Sequence, residues 1–211
     1  MPGIGAALSS IGFGAILTFG SLLFARQGWS PVWLMFTAYA AALIATRLVL
    51  GHLPDRLGGA RVAILTVLIE AAGLALIWLA PGPLVAGGGA AITGFGYALV
   101  YPALGVEAVN RAPPHSRGLV MGVYTAFLDV ALGLGSPALG LVAERTGVAS
   151  VFLASAFIVL CAAILAALLL TGPPATAGGR LSKAADGLSP SKENTRDDRK
   201  DQFGTLYVES R

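Results

Sequence analysis

Cysteine is nearly missing from this chain of 211 residues. Cys161 stands alone inside an apolar run, which excludes an intrachain disulfide and a thiolate zinc cluster. Charge is scarce as well: 12% of residues are charged, against about 25% in an ordinary soluble domain. The two histidines, His52 and His115, both fall between apolar runs, and no HExxH, paired-histidine or GxSxG arrangement occurs. Metal-centred or nucleophile–base catalysis therefore lacks its residues, and neither enzyme activity, cofactor nor metal is expected. No basic residue precedes the first apolar stretch and no clear small-residue cleavage site follows it, so the N-terminus does not read as a signal peptide.

What the chain has is apolar length. Hydrophobic residues make up 55% of it, and mean hydropathy is +0.76. These values define an integral membrane protein whose partner is the lipid bilayer. The 28 glycines agree, because small residues let membrane helices approach closely. Six spans are read: Ile4–Phe24, Pro31–Leu50, Val62–Ala80, Leu84–Val106, Leu119–Val142 and Val148–Leu170. A helix of about 20 residues is about 30 Å long, the thickness of the hydrocarbon core. Lipid offers no hydrogen-bond partner, so each span is expected to be helical. Two Gly-Phe-Gly segments, at Gly12–Gly14 and Gly94–Gly96, lie inside spans rather than after strands and carry no dinucleotide signal.

Net charge is +3, but half of the Lys and Arg lie in the last 32 residues and most of the others in loops, so nucleic acid is not expected as a partner. The loop between spans two and three holds Arg56 and Arg61, the loop between four and five Arg111 and Arg117, and the tail seven basic residues. The alternate loops hold only Arg26 and Arg145. Eleven against two places the even loops and both termini in the cytoplasm. After Gly172 the composition turns to Ser, Asp, Lys and Arg, so residues 171–211 are expected to form a disordered cytoplasmic tail after a transmembrane domain of residues 1–170.

The loop Gly51-His52-Leu53-Pro54-Asp55-Arg56-Leu57-Gly58-Gly59-Ala60-Arg61 has the spacing G-x-x-x-D-R-x-G-x-x-R. Gly51 and Gly58 suit a tight reversal, and a carboxylate near a helix N-terminus contributes up to about 1 kcal/mol. This spacing resembles the loop signature of the major facilitator superfamily of secondary transporters, with Ala60 where a second basic residue is common. Arg117-Gly118-Leu119-Val120-Met121-Gly122 after Pro113-Pro114 resembles the tenth-to-eleventh connection of efflux-type members. The run Gly133–Gly140 is similar to a degenerate glycine–proline motif of antiporters, departing from it at Ser136 and Leu141.

The resemblance covers residues 4 to 170 and implies an all-α six-helix bundle, the second half of a twelve-helix fold. It implies a conformational latch at Asp55, shaped by Gly51, Arg56, Gly58 and Arg61, and a small-molecule substrate moved by alternating access in a bacterial inner membrane. Twelve helices in two halves imply that this chain needs a second six-helix half or a homodimer. The alternative reading is a non-transporting scaffold or a truncated fragment.

Ionisable groups at membrane depth are functional candidates. Asp129 lies near the middle of the fifth span, on a small polar stripe with Gly122, Thr125, Gly133, Ser136 and Gly140. It is a candidate for proton coupling or a cavity wall, or else bonds a neighbouring helix. Gly133, Gly135, Pro137 and Gly140 are the hinge candidates, since proline deletes a helix hydrogen bond. Glu70 in the third span and Arg47, about one turn inside the membrane, are further proton-coupling or cavity candidates; the preferred expectation is that they pair structurally, unless Arg47 snorkels outward. The third and sixth spans are expected at the periphery of the bundle, from the family layout. Thr93, Tyr97 and Tyr101 at steps of four, and Ser10 with Gly14, Thr18 and Ser21, either line a substrate cavity or join helices.

Overall fold

The computed structural model describes residues 2–110 and 112–171. Apart from helical Thr171, the tail expected over 171–211 lies outside the described residues. In chain order the elements are α1 (Pro2–Gln27), α2 (Trp33–Leu50), α3 (Leu53–Leu57), α4 (Gly59–Trp78) and α5 (Pro83–Asn110). A single 3-10 turn at Pro114–Ser116 leads into α6 (Arg117–Thr146), and α7 (Val148–Thr171) follows. No strand occurs among the described residues. Six of the helices are long and apolar enough to cross a membrane, giving the all-α bundle that the apolar runs imply.

The helices overrun the apolar runs because a helix satisfies its own backbone wherever nothing breaks it. Thus α5 continues to Asn110, and α6 begins at Arg117 and includes Glu144 and Arg145. The signature segment is not an open loop. Pro54 at the start of α3, where a missing N–H costs nothing, lets Leu53–Leu57 form a helical turn. Gly58, at φ +89°, then reverses the chain into α4, so that Arg61 lies in the first turn of a helix. Gly28 and Gly147 make the corresponding positive-φ turns after α1 and α6.

Association of apolar helices in lipid depends on close packing rather than on hydrophobic burial. The tightest seam, α4 on α5, is made by glycines. A Cβ added at Gly96 would stand 2.6 Å from the Glu70 backbone nitrogen, and one at Gly73 2.7 Å from the Gly89 carbonyl oxygen. On the other side of α5, Gly94 meets the Tyr39 carbonyl of α2 in the same way. Hence α5 lies between α2 and α4, while α1 packs on α5, α6 and α7. Ile16, Leu23 and Phe24 of α1 and Phe152 of α7 are fully buried there.

The third long helix, α4, buries a larger share of its length than either α2 or α6, which are the two most exposed spans. The physical reason is the glycine seam: its backbone-to-backbone approach sinks α4 into the bundle, while α2 and α6 each leave a broad face uncovered.

Candidate solute site

The signature residues gather at one end of the bundle. Gly51 ends α2 with helical torsions (φ −58°), so its glycine is not required by backbone conformation, in contrast to Gly58. Arg56 and Arg61 are exposed. The side chain of Asp55, the expected latch, lies outside the described residues.

At mid-depth, Glu70 is wholly buried. Gly96 lets α4 come close enough to carry the carboxyl past α5 toward α1, where its Oε2 accepts a hydrogen bond from the Ser9 hydroxyl. Gly12 leaves room for Oε1, since a Cβ there would stand 2.8 Å from it. That Oε1 and the Tyr39 hydroxyl are both buried without a hydrogen-bond partner among the described residues. Phe13 stacks on Tyr39 with centroids 5.9 Å apart and on Tyr97 at 5.3 Å, which gathers α1, α2 and α5 around the carboxyl. The expected Glu70–Arg47 pair is not formed. Arg47 is exposed on α2, and α5 stands between α2 and α4.

Arg47 instead lines an open cavity of about 260 Å³ with Leu43, Tyr97, Ala98, Tyr101 and Leu128. Tyr97 and Tyr101 face this space because four residues make about one helical turn. Ser10 sits behind the wall, buried, donating to the Ala6 carbonyl oxygen at 2.8 Å and lying 3.2 Å from the Tyr97 hydroxyl. The Tyr124 hydroxyl donates to the Tyr101 carbonyl oxygen at 2.7 Å and ties α6 to α5 beside Pro102. Thr93 is a correction: one turn before Tyr97, it is buried in the α4–α5 seam and donates to the Gly89 carbonyl oxygen at 2.9 Å.

The α6 stripe faces outward. Asp129 and Thr125 are exposed, and Thr125 donates to its own helix at the Met121 carbonyl oxygen, 3.0 Å away. A Cβ at Gly122, Gly133 or Gly140 would meet nothing within 4 Å. Ser136 approaches Thr18 of α1 at 3.3 Å, and Gly135 lies beside Ile11. The helix runs unbroken through Pro137. Asp129 has no hydrogen bond or ion pair among the described residues.

Sequence reading missed Ser9, Phe13 and Tyr39. The available signal was the Ser9–Gly12 pair three residues apart, which marks a face of α1 distinct from that of Ser10. Among the described residues no group of three His, Cys, Asp or Glu could hold a metal ion.

Six apolar helices, glycine-seamed, with two carboxyls at mid-depth and an arginine on a cavity wall, define a polytopic membrane protein. The family model described as Major Facilitator Superfamily matches residues 3–204, and the chain belongs to that family. It is 47% identical over 151 residues, 72% of its length, to an uncharacterized MFS-type transporter of Pseudomonas aeruginosa. It is 47% identical over 165 residues, 78% of its length, to an uncharacterized MFS-type transporter of Burkholderia mallei. The chain spans 38% and 39% of the length of these two relatives. Its family is one of transporters, not enzymes.

Proposed function

We propose that the chain supplies one six-helix half of a secondary active transporter, exporting a small solute by alternating access in exchange for protons. Asp129 is the coupling carboxyl, Asp55 the latch, and Gly133 to Gly140 the flexing segment of α6. The working assembly adds a second six-helix half or a second copy. It sits in a bacterial inner membrane with the even loops and both termini in the cytoplasm, a placement supported by the eleven-to-two bias of basic residues and by bacterial relatives. The 1–170 and 171–211 division is kept as a membrane domain and a cytoplasmic tail.

One observation carries the reading: a mid-depth carboxyl without a partner among the described residues, on a helix face where a Cβ at Gly122, Gly133 or Gly140 would meet nothing. A carboxylate at the bilayer centre costs about 2.5–3.5 kcal/mol on insertion scales. Such a face belongs against a polar path or a second bundle rather than against lipid. The test is the full chain in proteoliposomes with an entrapped pH dye, challenged with a solute panel. Solute-dependent proton movement that Asp129→Asn abolishes is expected; movement at the wild-type rate in that variant removes Asp129 from the mechanism.

A further inference from the structure

We propose that the cavity between α2, α5 and α6 takes an organic anion with a single-ring apolar body, its carboxylate held by Arg47. The proposal rests on reading this wall as part of the solute path.

Among the described residues Arg47 is the only charged one on the wall. It has no hydrogen bond or ion pair among the described residues, and its guanidinium lies within electrostatic reach of Tyr97. Its depth follows from helix register. Leu34 sits at Gly87 and Tyr39 at Gly94, so α2 and α5 run parallel and Arg47 is level with Tyr101 and Pro102. Tyr101 lies nine residues before the end of α5, about 13 Å along the helix. Because α5 overruns α2 at this end, the arginine stands in the last turn of α2 yet level with the body of α5, a cation beside two phenols.

The rest of the wall fixes the chemistry of the occupant. Guanidinium binds carboxylate through two parallel hydrogen bonds. Leu43, Ala98 and Leu128 offer only apolar surface, and the faces of Tyr97 and Tyr101 suit a flat ring. Two tyrosines could attract a cation through their ring faces, but Arg47 on the same wall repels one. No described carboxyl stands on the wall beside it: Glu70 is turned toward Ser9 behind α5, Glu107 stands against Gly59 of α4, Glu144 lies near the far end of α6, and Asp129 is on the open face of α6. A volume of about 260 Å³ lies below the range of drug-sized sites, about 300–1,000 Å³.

The test uses the purified full chain in neutral nanodiscs, titrated by calorimetry with benzoate, benzamide and benzylammonium. These probes share one ring and differ in charge. Benzoate is expected to bind at least tenfold more tightly than either other probe. Arg47→Gln should erase the preference and Arg47→Lys retain part of it. Equal binding of the three probes, a preference for benzylammonium, no binding of any, or benzoate affinity unchanged in Arg47→Gln would each overturn the proposal. The wild-type comparison needs no variant, so a misfolded mutant leaves the test standing. Arg47-dependent benzoate binding without flux of any solute leaves the anion site intact and removes the transport reading. Proton-coupled flux with no preference for anions does the reverse.

Discussion

The Ser9 hydroxyl donates to the Glu70 carboxylate across 61 residues of sequence, joining α1 to α4 at mid-depth. Removing one partner of a buried hydrogen bond leaves the other desolvated and unpaired, at a cost of about 1–3 kcal/mol, whereas removing both at similar shape is nearly neutral. Ser9→Ala is expected to lower the melting point of the detergent-solubilised chain. Ser9→Ala/Glu70→Met should recover most of that loss. A Ser9→Ala melt that coincides with wild type would show that the bond contributes nothing.

Glycines of the same composition should differ sharply in tolerance. Gly96→Val drives a side chain into the α4 backbone, and overpacking costs about 1–3 kcal/mol or more. Gly122→Ala points into open space and is expected to stay within about 0.5 kcal/mol of wild type. Fluorescence-detected size exclusion after a heating series reads both, and equal behaviour of the two variants would contradict the seam.

Gly58 holds φ +89° between α3 and α4. With ψ 134° this is a positive-φ region that L residues hardly populate, and holding one there costs about 1–3 kcal/mol. Gly58→Ala is expected to destabilise the chain by that amount, visible as earlier proteolysis between Arg56 and Arg61 in inside-out vesicles. Unaltered proteolysis would mean that the turn relaxes without strain.

The proposed coupling role of Asp129 predicts that folding and transport separate at this residue. Because its carboxyl has no partner among the described residues, Asp129→Asn should melt with wild type while losing proton-coupled flux. The face around it has its own test. In a Cys161→Ser background, Ala126→Cys is expected to give a bis-maleimide adduct of higher mass in membranes. Phe157→Cys, exposed on α7, should give none. The opposite pattern would place the assembly face on the other side.

Hydropathy and turn residues made the six helices legible, and the Gly58 turn with them. Helix neighbours were not legible. In water, one apolar stripe marks the core, but in lipid both the buried and the outer faces are apolar. Leu74, fully buried, and Leu68, exposed, stand on one helix with nothing in composition to tell them apart. The same difficulty left Thr93 open between cavity wall and helix seam, and gave Glu70 the wrong partner. Each outcome turned on which glycine lay under a neighbouring backbone: Gly73 and Gly96 do, and Gly122 does not. The α6 face that carries Asp129 was legible as a face because its small residues share one helical period.

Where Gly73 meets Gly89 and Gly96 meets Thr66, no layer of side chains separates the two backbones. Sliding one past the other would bring peptide groups into collision, with no rotamers available to absorb the shift. The pair is therefore a stiff plank. Gly94 against the Tyr39 carbonyl fastens α2 to α5 in the same way, so any shape change in this bundle falls to α6, whose glycines touch no neighbouring backbone, swinging against a beam that stays fixed.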